Sequence, residues 1–274
     1  MESNPSVFTL GFLIFLMSYF GTLSVILKLK LDERTLDSRP TQSYNFLMTY
    51  ETLIQTLWEN SDRQFDEFNN KIVNSGVPTI GCKIPFLRKL AKNFTIAEAE
   101  NFPIHQYFEV DLLRGVVVST AKLPFADKSV HLLDFAKIIE NWAVCDCSTV
   151  KVPKTESQLY FDLFAGLLSS QQPFVCRYGV VNLMSNYLDE EHIDQVFSVV
   201  ETITQWGHYY VDMGVAWLVA TAMAKCRDKT VEYMLDEGRQ VLSKFAYNKA
   251  LQKMRESFRV SKEDKQWTYT MKIQ

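Results

Sequence analysis

From Thr49 onward, apolar residues recur at three- and four-residue spacing almost without interruption, and this periodicity constrains the fold more than any other feature. Segments such as "YETLIQTLWENS", "RQFDEFNNKIV" and "GHYYVDMGVAWLVATAMAK" each present one apolar face or more. Short connectors such as "SSQQP", "LDEE" and "CRDK" join them. No stretch alternates in the manner of a strand; "VVVS" after Gly115 comes nearest, inside a longer helical period. Only ten glycines and eight prolines punctuate 274 residues, which suits long helices better than many tight turns. Pro85 stands where a first helical turn accepts it. The expectation is an all-α body of antiparallel helix pairs.

A chain that is 47% hydrophobic and 22% charged buries a real core. Its net charge of −3 advertises no overall affinity for polyanions, so any such site is a local patch. The five cysteines (Cys82, Cys145, Cys147, Cys176 and Cys226) are odd in number and scattered, as in a cytoplasmic protein with reduced thiols. Cys145 and Cys147 are two residues apart and point to different helix faces, which argues against a metal site.

Val7 to Leu27 carries no charge over 21 residues, long enough to cross a bilayer. Lys28, Lys30 and Arg34 follow it and would hold the body in the cytoplasm. Two readings stand: residues 1–47 are a membrane anchor, or they are a non-native extension and the protein begins at Met48. On either, 48–274 is the functional domain.

The stretch "NWAVCDC", Asn141 to Cys147, continues a helical pattern and sets Trp142 and Asp146 one turn apart on one face. Arg177 and Trp217 sit in apolar helical segments of their own. Trp142 and Arg177 are separated by 35 residues, and Arg177 and Trp217 by 40. HEAT-type repeats have about this period, and a residue recurring at it lands on one face of successive layers. Singly, each has a plainer role: core for the tryptophans, an ion pair for Asp146 and Arg177.

Together with "TIGCKIPFLRKLAK", "FVCRYGVVNLM", "YYVDMGVAWLVATAMAK" and "YNKALQKMRESF", this stretch resembles the AlkD-like DNA alkylation repair proteins, from about Met48 to Thr270. The resemblance implies a right-handed solenoid of HEAT-like repeats. It also implies a monomeric glycosylase, without cofactor or metal, that excises cationic N-alkylated purines such as 3-methyladenine and 7-methylguanine from double-stranded DNA. It assigns Trp142, Asp146, Arg177 and Trp217 to the catalytic cleft. Asp146 would face the sugar, the tryptophans the lesion, and Arg177 a phosphate. Lys83, Arg88, Lys89 and Lys92, and then Lys249, Lys253 and Arg255, form two basic segments expected to grip the backbone. One departure is Phe68, which stands where the family's first helices offer an aromatic that engages DNA. The competing readings are a non-catalytic module for damaged or structured DNA, and a protein-binding scaffold.

Overall fold

The computed structural model describes residues 48–273, and every regular element among them is a helix. The "VVVS" stretch lies within one of these helices. The apolar segment 7–27 and the expected boundary after residue 47 fall outside the described residues. Among the described residues no helix is long and apolar enough to cross a membrane.

The chain divides into two compact units. The described part of the first, residues 48–74 and 79–83, holds α1 (Tyr50–Glu59) and α2 (Arg63–Val73). Thr49 caps α1 by accepting the Thr52 N–H, and Asp62 caps α2 by accepting that of Phe65 at 3.0 Å. Leu53 and Leu57, one turn apart, are fully buried.

The second unit, residues 75–78 and 84–274, is described to residue 273 and holds the remaining helices. They are α3 (Ile84–Leu90), α4 (Ile96–Asn101), α5 (Phe108–Thr120), α6 (Phe125–Lys137), α7 (Trp142–Cys147), α8 (Ser157–Leu167) and α9 (Pro173–Asn186). Then come α10 (Ile193–Val200), α11 (Tyr209–Lys225), α12 (Arg227–Leu235), α13 (Glu237–Val241), α14 (Lys244–Glu256) and α15 (Lys262–Thr270). Packing sorts most of them into two rows. One row runs α3, α5, α7, α9, α11, α14, each against the next. The other includes α6 against α8 and α10 against α12. Within pairs, α5 meets α6, α8 meets α9, α11 meets α12 and α14 meets α15.

The first row is the core. α5 and α9 are buried on nearly every side, which is why their sequences lack a polar stripe. Close approach is arranged by absence of a side chain: a Cβ on Gly115 of α5 would fall 2.4 Å from the Phe135 ring and 2.1 Å from Ser148 Oγ. α9 then clamps the chain leaving α7. Tyr178 donates to Ser148 O at 3.0 Å, Asn182 Oδ1 accepts the Val150 N–H at 2.9 Å, and Asn186 Oδ1 accepts that of Val152 at 3.2 Å. Each net bond contributes about 1 kcal/mol, and a buried amide left unpaired costs more.

One boundary differs from the sequence reading. The segment from Val130 to Cys147 is not one helix: α6 ends at Lys137, and Asn141 is extended. The Asn141 carboxamide oxygen accepts the N–H groups of Ala143 and Val144 and starts α7 anew. Asn in a helical pattern is neutral in the interior and strong at a cap, and the cap won.

Candidate active site

Successive first-row helices carry a charged residue near the same level: Asp111 on α5, Asp146 on α7, Arg177 on α9 and Asp212 on α11, at spacings of 35, 31 and 35 residues. All four are buried. Asp111 and Asp212 do the same local job. Each accepts a backbone N–H from the loop ahead of its own helix, Asp111 from His105 at 3.1 Å and Asp212 from Gly207 at 3.2 Å. Burial raises both carboxyl pKa values, opposed at Asp111 by the His105 N–H and at Asp212 by the Ser243 hydroxyl, which donates at 2.7 Å, and then the Gly207 N–H.

Asp146 breaks the pattern. The start of its helix is already capped by Asn141, so its carboxylate turns to the next layer. Arg177 Nε donates to one carboxylate oxygen at 3.0 Å and Nη2 to the other at 2.8 Å, a bidentate fork. Nη1 donates to the Tyr210 carbonyl at 2.6 Å, so the guanidinium links α7, α9 and α11. The side chains are 1% and 3% exposed. Burial acts to lower the Arg177 pKa, but the Asp146 carboxylate beside it prevails and the net shift is upward. Arg177 lies across Gly214: a Cβ there would sit 3.3 Å from Nη1 and 3.5 Å from Cγ.

Trp142 shares the Asp146 face of α7 and is 5% exposed. Trp217 follows Gly214 by three residues and so lies on the face of α11 that Arg177 crosses; it is half-buried. Of the residues that the resemblance grouped, Asp146 and Arg177 are in direct contact, and Trp142 and Trp217 lie on the two helices that the Arg177 guanidinium links to its own. Three of the five Arg177 N–H donors, one each on Nε, Nη1 and Nη2, are engaged by Asp146 and the Tyr210 carbonyl.

The basic residues diverge. Lys83, in the first unit, is ion-paired with Asp62 at 2.8 Å. Arg88 turns inward and donates to the Cys147 carbonyl at 3.3 Å, one residue past Asp146. Lys89 and Lys92 are exposed. Lys249 donates to Gln252, and Arg255 donates to Thr268 and lies over the Tyr269 ring. Lys253 stands apart from both. Burial pushes its ammonium pKa down to about 7, with Lys249 and Arg177 acting the same way and Glu256 and Asp146 opposing. Lys253 thus feels both members of the ion pair, a placement that basic spacing alone does not disclose. Cys145 and Cys147 are fully buried beside Asp146, and burial raises both thiols, Cys147 to about 12. Gly214 and the Tyr210 carbonyl also escaped the sequence reading; a glycine in mid-helix was the available signal for the first.

Residues 53–254 match the family described as "DNA alkylation repair enzyme". The chain belongs to that family, which places it in DNA repair with DNA as its partner. No curated protein and no solved structure matches it.

Proposed function

We propose that the chain is a DNA glycosylase for cationic N-alkylated purines in duplex DNA, built as a right-handed HEAT-like solenoid whose first row of helices lines the DNA groove. The observation that carries this reading is the singularity of Asp146. Of three layered aspartates it alone serves no local turn and instead pairs with Arg177 of the next layer, one helical turn from Trp142.

An N-alkylated purine bears a positive charge and leaves as a neutral base, so no general acid is needed. As the C1′–N bond breaks, positive charge gathers on the deoxyribose. The Asp146 carboxylate stabilises that charge and orients the water that adds to C1′, giving free base and an abasic sugar. The Arg177 fork occupies one lone pair on each carboxylate oxygen and leaves the others for sugar and water. Its task is to hold Asp146 in place; backbone phosphates fall to the exposed lysines. The tryptophan faces attract the cationic lesion, each contributing about 0.5–2 kcal/mol.

The depth of the ion pair favours one second reading, a DNA-binding protein in which Asp146 and Arg177 only join layers. Single-turnover release of 7-methylguanine from methylated duplex separates the two. The glycosylase releases free base; the binding module retards the duplex and releases none.

A further inference from the structure

Beyond the ion pair, the second unit holds a cationic cleft of about 590 Å³ on α14 and the C-terminal segment. Lys244, Lys249, Arg255 and Lys272 line it together with Phe245. The C-terminal segment is held against α14 by a reciprocal pair of bonds: Asn248 Nδ2 donates to Ile273 O at 2.9 Å, and Ile273 N donates to Asn248 Oδ1 at 3.0 Å. This is a concentration of positive charge in a chain whose net charge is −3.

A run of aromatic rings leads from the cleft. Phe245 meets Tyr209 at 5.8 Å between centroids, Tyr209 meets Tyr210 at 5.2 Å, and Tyr210 meets Phe174 at 5.1 Å. The rings sit in the first turns of α14, α11 and α9, one layer after another. Phe245 and Tyr209 are 42% and 43% exposed, although large apolar rings are normally buried. The run ends where the Tyr210 carbonyl accepts from Arg177.

We propose that the cleft and this aromatic run form a second nucleic-acid site, one that holds unpaired DNA. Backbone phosphates sit among the four cations, and bases stack on the exposed faces of Phe245 and Tyr209. Stacking platforms interleaved with cations are how proteins bind single strands without reading sequence. A duplex buries its base faces and has no use for the rings; an acidic peptide would use the cations alone. The site would take the strand opened beside a lesion held at Asp146. The inference rests on the DNA reading above, but its test is separate.

The test is fluorescence anisotropy with a labelled oligothymidylate of about eight nucleotides, within the usual span of such sites. An unmodified duplex of equal length and a polyglutamate competitor run in parallel. Phe245→Ala and Tyr209→Ala change exposed rings, and a melting curve confirms the fold of each. Each should weaken the single strand about tenfold while duplex binding and base release stay unchanged. Lys249→Ala with Lys272→Ala should flatten the dependence of log K on log salt for the single strand by about 1.4. Unchanged single-strand affinity in the aromatic variants overturns the proposal. So does an equal loss for duplex, or polyglutamate displacing the oligonucleotide equally from wild type and both variants. A protein that binds no DNA of either form would instead overturn the DNA reading itself.

Discussion

Both oxygens of Asp146 are held by Arg177, at 3.0 and 2.8 Å, and the third Arg177 nitrogen is held by the backbone of the next helix. Buried charge pairs of this kind cost nearly as much to desolvate as they return. Removing one partner, however, strands the other and typically costs about 3–5 kcal/mol. Arg177→Ala is therefore expected to lower the melting temperature by several degrees and to abolish base release. Arg177→Lys, which supplies a point charge without a fork, should recover part of the stability and little of the activity. Thermal melting beside a release assay checks both; an Arg177→Ala protein as stable as wild type would contradict the ion-pair account.

Gly214 offers a gentler perturbation. A methyl group there would sit 3.3 Å from Arg177 Nη1, close enough to shift the guanidinium by a few tenths of an ångström. Alanine for glycine in a helix interior gains about 0.5–1 kcal/mol by itself. Gly214→Ala should thus melt within a few degrees of wild type yet release base at least several-fold more slowly. A variant that is stabilised and fully active would show that the position of Arg177 does not matter to the reaction.

The helices were legible in the sequence because their apolar spacing has one period throughout. Their ends were less so where a polar residue serves two roles. Asn141 reads as an ordinary helical position until its side chain is seen capping α7. The placement of Trp142, Arg177 and Trp217 on neighbouring helices was suggested by intervals of 35 and 40 residues, close to one helical repeat. The Asp146–Arg177 ion pair was the plainer reading of those two residues, but the other neighbours of Arg177 did not follow. A backbone carbonyl and a glycine carry no side-chain signal, and whether an arginine reaches a phosphate or a carboxylate depends on which lies nearer in three dimensions. The inward turn of Arg88 was hidden for the same reason.

Lys253 should make DNA binding pH-dependent near neutrality. Its neighbours are Lys249 and Glu256 on α14, Arg177 on α9 and Asp146 on α7, and burial leads in pushing its pKa down to about 7. Below that pH the ammonium is charged and adds to phosphate affinity; above it the amine is neutral. Affinity for unmodified duplex should fall as pH rises from about 6 to 8, and Lys253→Met should remove that step. Folding responds in the opposite sense. Between about 7 and the unfolded value near 10.4 the unfolded chain binds the extra proton, so stability rises with pH across that window. Lys253→Met should flatten the rise. A wild-type binding curve without a step near pH 7 would contradict the assignment.

The central claim is that the Asp146 charge faces a developing sugar cation. Because Asp146 is also the partner of Arg177, Asp146→Asn will lose stability whether or not the residue is catalytic, so a melting curve alone decides nothing. The direct measurement is single-turnover release of 7-methylguanine from methylated duplex, below the melting transition of the variant and normalised to folded, DNA-bound protein. The expected result is a rate lower by about 10²–10³, the usual loss when one preorganised electrostatic contact is removed, with duplex affinity unchanged or slightly tighter. An Asp146→Asn protein that releases base at the wild-type rate would contradict the account.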